Sequence, residues 1–238
     1  MRDATYHLIA WLFDVFLWGG ELAGEENLPD RGPAVFVSNH MGALGPIAVA
    51  ASIPLRLYPW VIGDMIDEQK AAAYLNMDFV EKQLHLRPPI SMAVSKALSR
   101  VSVPLLRSAG CIGVRQGEAL LDTYRQSVDL LFEGKCLVIF PEDPEGPIDP
   151  LYQMTPFKKG FARLGELFHE RTGQSLRFYP LAVHAELSRV KVGKPVLFNP
   201  LNPVINERSR IKSVLEISIR EMYITMAGKG YSGIPLPH

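Results

Sequence analysis

The residues of this chain that could do chemistry stand one at a time at the ends of apolar runs. His40 closes Val35-Phe36-Val37-Ser38-Asn39, which reads as a buried strand, and a short helical pattern follows it. An imidazole delivered where strand gives way to helix can serve as a general base, or it can be satisfied by backbone groups alone. Arg115 ends the run Cys111–Val114, and Pro141-Glu142-Asp143 follows Cys136–Phe140, the strongest apolar run in the chain. Lys158 and Lys159 open a later helical pattern. Open α/β sheets gather their ligand sites outside the carboxyl ends of the strands, where these groups would meet. Each has a plainer reading too: Glu142 and Arg115 as a structural ion pair, the two lysines as a solvated first turn.

The elements that must position them alternate. Ala34–Ser38 reads as a strand, Leu44–Ile53 as a helix closed by Pro54, and Leu55–Ile62 as a second strand. Asp64–Glu81 is mixed and partly helical. Ile90–Leu106 carries Met92, Val94, Ala97, Leu98 and Val101 at helical spacing, with Pro104 breaking its end. Glu118–Phe132 is an amphipathic helix with Leu120, Leu121, Tyr124, Val128, Leu131 and Phe132 on one face, stopped by Gly134. A Pro- and acid-rich loop spans Pro141–Pro156, before a helix over Phe157–Glu170. Strands over Arg177–Ala185 and Val190–Phe198 precede a last helix over Arg208–Met226. The expected fold is α/β, a mostly parallel sheet covered by helices, in a single domain over residues 27–238.

Residues 1–26 are set apart. Trp11, Phe13, Phe16 and Trp18 crowd one segment, interrupted by Asp14 and followed by Glu21, Glu25 and Glu26. Such a helix either lies in the headgroup region of a membrane or packs across the domain. No run approaches the ~20 apolar residues a span requires. No basic n-region or cleavage pattern marks a secretory signal. The 25 basic and 25 acidic residues balance, so charge gives no reason to expect nucleic acid as a partner. Cys111 and Cys136 make neither a disulfide framework nor a metal knuckle, and a reducing compartment is expected. Dinucleotide, P-loop, G-x-S-x-G and H-E-x-x-H motifs do not occur, and the six histidines are scattered.

In order, Asn39-His40, Gly113-Val114-Arg115, Phe140-Pro141-Glu142, Phe157-Lys158-Lys159-Gly160 and Tyr179-Pro180-Leu181-Ala182-Val183 resemble the blocks of the PlsC-type glycerolipid acyltransferases. The likeness runs from about Ala34 to Asn199. It implies that His40 is a general base, taking the proton of an acceptor that attacks the thioester of acyl-CoA or acyl-carrier protein. It also implies that Asn39, Arg115, Phe140, Pro141, Glu142 and Lys158 line or organise the substrate site. No cofactor is implied beyond the acyl thioester donor. The partners implied are that donor, a lipid acceptor and a membrane surface, with the chain peripheral at the cytoplasmic face. The helix N-terminus after His40 favours the neutral imidazole and offers N–H donors to an oxyanion.

Two positions depart from the family pattern. Gly45 stands where the family has the aspartate that orients the histidine, and no carboxylate occurs between Met41 and Ile62. Loss of the orienting aspartate in a serine-protease triad costs roughly 10⁴ in rate, which sets a scale. Asp64, Glu142 and Asp143 are the candidate substitutes. Asp143-Pro144-Glu145 replaces the family's Gly-Thr-Arg, so an acid stands where a phosphate-binding arginine would be. An uncharged or cationic acceptor suits that loop better than a phosphate monoester. Two expectations remain open: an acyltransferase with an unusual orienting group, and a relative that binds lipid or acyl thioester without turnover.

Overall fold

The computed structural model describes residues 1–82, 84–115 and 117–228. The chain opens with helix α1 (Asp3–Phe13), strand β1 (Glu21–Ala23), strand β2 (Ala34–Ser38) and helix α2 (Leu44–Ser52). Strand β3 (Leu57–Ile62), helices α3 (Ala71–Leu75) and α4 (Ile90–Ala109), strand β4 (Ile112–Val114) and helix α5 (Leu120–Phe132) follow. Strand β5 (Cys136–Ile139), helix α6 (Arg163–Thr172), strands β6 (Arg177–His184), β7 (Arg189–Val192) and β8 (Val196–Leu197), and helix α7 (Val204–Ala227) complete it. These elements form two compact units, Tyr58–Ser127 and Arg2–Leu57 with the chain from Val128 onward.

The larger unit holds the strands β1-β7-β6-β2-β5 in that order. β2 runs parallel to β5 (Phe36 opposite Val138) and to β6 (Phe36 opposite Tyr179). β1 is parallel to β7, while β7 and β8 run antiparallel to β6. Every residue of β2 is fully buried, which is why it reads as a continuous apolar run rather than an alternation. Phe36 packs on Tyr179 with ring centroids 5.2 Å apart, inside a core that includes Val49, Leu57, Val138 and Leu181. Removing the Phe36 ring is therefore expected to cost about 3–5 kcal/mol.

α7 is anchored by a buried acid in its first turn. Glu207 accepts hydrogen bonds from the Asn199 backbone N–H (2.8 Å), the Asn202 amide (2.7 Å) and the Arg210 guanidinium (2.8 Å). Burial alone would raise its carboxyl; the bonds from Arg210, Asn202 and Asn199 outweigh it and hold the group down at about 2. A depressed carboxylate stabilises the fold above its unfolded value and loses that contribution as pH falls towards the folded value. Glu207→Gln is expected to lower stability at neutral pH by on the order of 3 kcal/mol and to flatten the fall in Tm between about pH 4.5 and 2. Thermal melts across that window read both effects.

In the smaller unit β3 and β4 pair in parallel, Trp60 opposite Ile112. α4 corrects the sequence reading in two ways. It continues through Pro104 to Ala109, and its buried line is Ser91, Ser95, Ser99 and Val103 rather than the larger apolar residues. The serines tolerate burial because they are hydrogen-bonded. Ser95 Oγ donates to the Ser91 carbonyl (2.8 Å) and to Asn76 Oδ1 (3.1 Å), and Ser91 Oγ donates to Glu81 (3.3 Å). α5 also differs from its predicted face: Leu121 and Phe132 are exposed. The Phe132 ring instead lies under the Arg171 guanidinium, 4.5 Å from it.

α1 continues through a π-helical turn, Asp14–Trp18. Tyr6, Ala10 and Trp18 are buried, whereas Leu8, Trp11, Leu12, Val15 and Phe16 recur on the opposite face and are exposed, Phe16 by 74%. Among the described residues no helix is long and apolar enough to cross a membrane.

Candidate active site

The site is built on the carboxyl end of β2. Asn39 continues the strand with its side chain: its amide Nδ2 donates to the Val183 carbonyl (2.9 Å) and its Oδ1 accepts the Val183 N–H (2.8 Å). The residue is fully buried, and both polar ends of its amide are engaged by β6. His40 thus leaves the sheet from a fixed point and is itself exposed. Met41 and Gly42 then take left-handed conformations (φ 46° and 63°), turning the chain into α2. A non-glycine residue in that region is uncommon and strained, so Met41 marks a tight turn next to the histidine.

Glu142 holds the histidine backbone. Its Oε1 accepts the His40 N–H at 2.6 Å, and its Oε2 accepts the Thr155 N–H at 2.9 Å. One carboxylate therefore ties the exit of β2 to a segment thirteen residues beyond Glu142 itself. Backbone bonds close the same junction, from Asp143 N–H to the Pro156 carbonyl (2.9 Å) and from Lys158 N–H to the Pro141 carbonyl (2.8 Å). Phe140, at the end of β5, meets the His40 ring edge-to-face at 5.3 Å. Pro141, the next residue, is buried.

Glu142→Gln tests this arrangement. A glutamine can accept one of the two N–H groups, but its amide nitrogen meets the other as donor against donor. The expected cost is about 1–3 kcal/mol, read by denaturant unfolding, together with a loss of order in the turn after β2.

Lys158 lies elsewhere than predicted. The helix does not begin at Phe157, because Phe157 bridges to Glu142 and α6 starts only at Arg163. Lys158 sits in the preceding loop and pairs with Asp143 at 3.0 Å. That hydrogen bond, with a second from the Glu145 N–H, holds the Asp143 carboxyl below its ordinary value. Asp149, which lies 3.8 Å from Arg220, and the exposed Glu145 belong to the same loop. Arg115 ends β4 in the smaller unit, where its stem lies over Gly63; a Cβ there would come within 2.7 Å of Arg115 Cγ. Asp64 pairs with Lys70 at 3.4 Å.

Position 45 has no room for a side chain. A Cβ built on Gly45 would lie 1.8 Å from the His40 carbonyl oxygen and 2.6 Å from its carbon. The first turn of α2 thus packs directly onto the main chain of the histidine. Among the described residues no side chain caps that helix, which leaves its leading N–H groups without a capping acceptor.

The structure brings His40, Asn39, Phe140, Pro141, Glu142 and Lys158 together in the larger unit. Thr155 and Val183 complete the arrangement. Val183 closes the last of the family-like blocks, although not as a site residue, and acts through its strand backbone; Thr155 contributes a loop N–H and carries no signal in the sequence.

No family model matches the sequence, and no curated protein matches it. Among solved structures the chain is similar to the 1-acyl-sn-glycerophosphate (LPA) acyltransferase PlsC from Thermotoga maritima, with a TM-score of 0.51 and 14% identity. The similarity covers 93% of this chain and 84% of that one. The mostly parallel sheet covered by helices, with its N-terminal helix, is therefore a glycerolipid-acyltransferase-like fold.

Proposed function

We propose that this chain moves a fatty acyl group from an acyl thioester to a hydroxyl or amine of a lipid-type acceptor, with His40 as general base. The observation that carries the reading is His40 itself. It stands exposed at the carboxyl end of a buried strand, its backbone held by Glu142 and its ring against Phe140, on an acyltransferase fold.

In this reading the His40 imidazole takes the proton from the acceptor O–H or N–H as that atom bonds to the thioester carbon. The carbonyl oxygen becomes an oxyanion, stabilised by N–H groups at the start of α2. Collapse breaks the C–S bond, and the imidazolium returns the proton to the departing thiolate, leaving acylated acceptor and free thiol. Asn39 and Glu142 act as positioning residues, and Phe140 and Pro141 as the wall behind the ring. Lys158, paired with Asp143, contributes little net charge.

The acidic loop bears on the acceptor. Asp143 is paired with Lys158 and Asp149 lies near Arg220, which leaves Glu145 in the place of the family's phosphate-binding arginine, so an uncharged or cationic acceptor fits better. The outward apolar face of α1 would rest at the membrane surface, holding the chain peripherally where such acceptors reside.

A second reading has one observation in its favour. Gly45 excludes the usual orienting carboxylate, which suits a protein that binds lipid or acyl thioester without turnover. Mixing the full chain with acyl-CoA and a panel of acceptors, while following free thiol, separates the two. Acceptor-dependent release, stronger for uncharged or amine acceptors than for glycerol phosphate, is the expected result. Lipid binding with no release from any pair supports the second reading.

A further inference from the structure

Helix α4 presents to water the side that most helices bury. Its inward line is serine, while Ile90, Leu98 and Val101 stand outward with 62%, 37% and 69% of their surface exposed. At 3.6 residues per turn, Ile90, Ala97, Leu98 and Val101 share one outer arc. Lys96, Arg100 and Arg107 form a row on one flank of the helix, about 60–100° beyond Ala97, between that arc and the buried line. Arg107 is taken up by Glu68 and the Ile66 carbonyl, whereas Lys96 and Arg100 form no ion pair among the described residues.

The charge bias extends beyond the helix. From Lys82 to Gly117 the chain carries Lys82, Arg87, Lys96, Arg100, Arg107 and Arg115 and not one Asp or Glu. The protein as a whole has zero formal net charge; in this stretch Lys82 pairs with Asp78 and Arg107 with Glu68, which leaves Lys96 and Arg100 as the cations of the exposed face. An apolar row bordered by a basic row is the pattern of a helix lying at a lipid interface, apolar side chains at the acyl boundary and cations among the headgroup phosphates.

We propose that the outer face of α4 docks on an anionic lipid surface. Charge complementarity selects this occupant over the others. A second copy packed on the same face would set Lys96 and Arg100 against their own counterparts. Single-stranded nucleic acid would find no aromatic side chain on α4 to stack against. Anionic headgroups satisfy both rows at once. The proposal does not depend on acyl transfer and holds for a chain without turnover. It also differs from the contact proposed for α1, whose apolar face has no such basic border.

Flotation of the full chain with vesicles of phosphatidylcholine, with and without phosphatidylglycerol, tests it. Binding is expected to be stronger to the vesicles containing phosphatidylglycerol, and the excess is expected to fall with salt. Each basic residue near such a surface is worth roughly fivefold in partitioning, so Lys96→Glu/Arg100→Glu should weaken the excess by about 30-fold or more. These surface changes are expected to leave the fold intact, which circular dichroism checks, and Val101→Asp is expected to give an independent loss. Equal binding to both vesicle types overturns the proposal. So does an undiminished excess in the double variant when Phe16→Asp in α1 abolishes it. Concentration-dependent dimers that Val101→Asp dissolves would assign the face to a second copy instead.

Discussion

Placing an aspartate at position 45 is expected to destabilise this protein by at least about 3 kcal/mol and to leave its turnover no higher. Sequence comparison would predict the opposite, since an aspartate there orients the histidine in the family that this chain resembles. The geometry decides against restoration. The first side-chain carbon would already overlap the His40 carbonyl oxygen at 1.8 Å, and the obstacle is backbone that no rotamer change can move. The turn through Met41 and Gly42 would have to open, withdrawing the start of α2 from the histidine. Gly45→Ala separates the causes. It carries the clash without the charge, so it is expected to show most of the same loss in denaturant unfolding. An aspartate variant as stable as the wild type and more active would mean that the turn rearranges freely.

His40→Ala is expected to lower acceptor-dependent thiol release by about 10²–10⁴-fold, the range ordinarily supplied by a positioned base. Stability should change little, because His40 is exposed at the surface, where substitutions away from the core cost little. The backbone bond to Glu142 survives the substitution, so the site keeps its shape. Binding of acyl thioester should therefore persist while release stops. That separation of binding from turnover distinguishes a base from a residue that merely holds the site together. Loss of both in equal measure would assign His40 a structural role.

Much of this could be read from residue types, and what could not has physical reasons. β2 was legible because a strand buried on both faces is a continuous apolar run ending abruptly in Asn39-His40. The order of strand-end groups led to the fold for the same reason. α4 was legible as a helix but not in its orientation: Val94, Leu98 and Val101 mark one apolar side, and residue type alone does not show that the serine side is the one buried. Only the hydrogen bonds of Ser91 and Ser95 to Glu81 and Asn76 show which side faces in. Lys158 was misplaced because Phe157 looks like the first apolar residue of a helix, yet it pairs with Glu142 across the loop. The roles of Glu142 and Gly45 were hidden for a shared reason. Each acts on the main chain of His40, and main-chain contacts leave no trace in residue type.

The central claim is that His40 drives acyl transfer to a lipid-type acceptor. Mass-spectrometric measurement of acylated acceptor, alongside free thiol, in the wild type and in His40→Ala tests it most directly. The account predicts the two products in equal amounts from the wild type, dependent on acceptor and nearly absent from the variant. Acylated acceptor formed equally well by His40→Ala would contradict it, as would thiol released from the wild type without any acylated product.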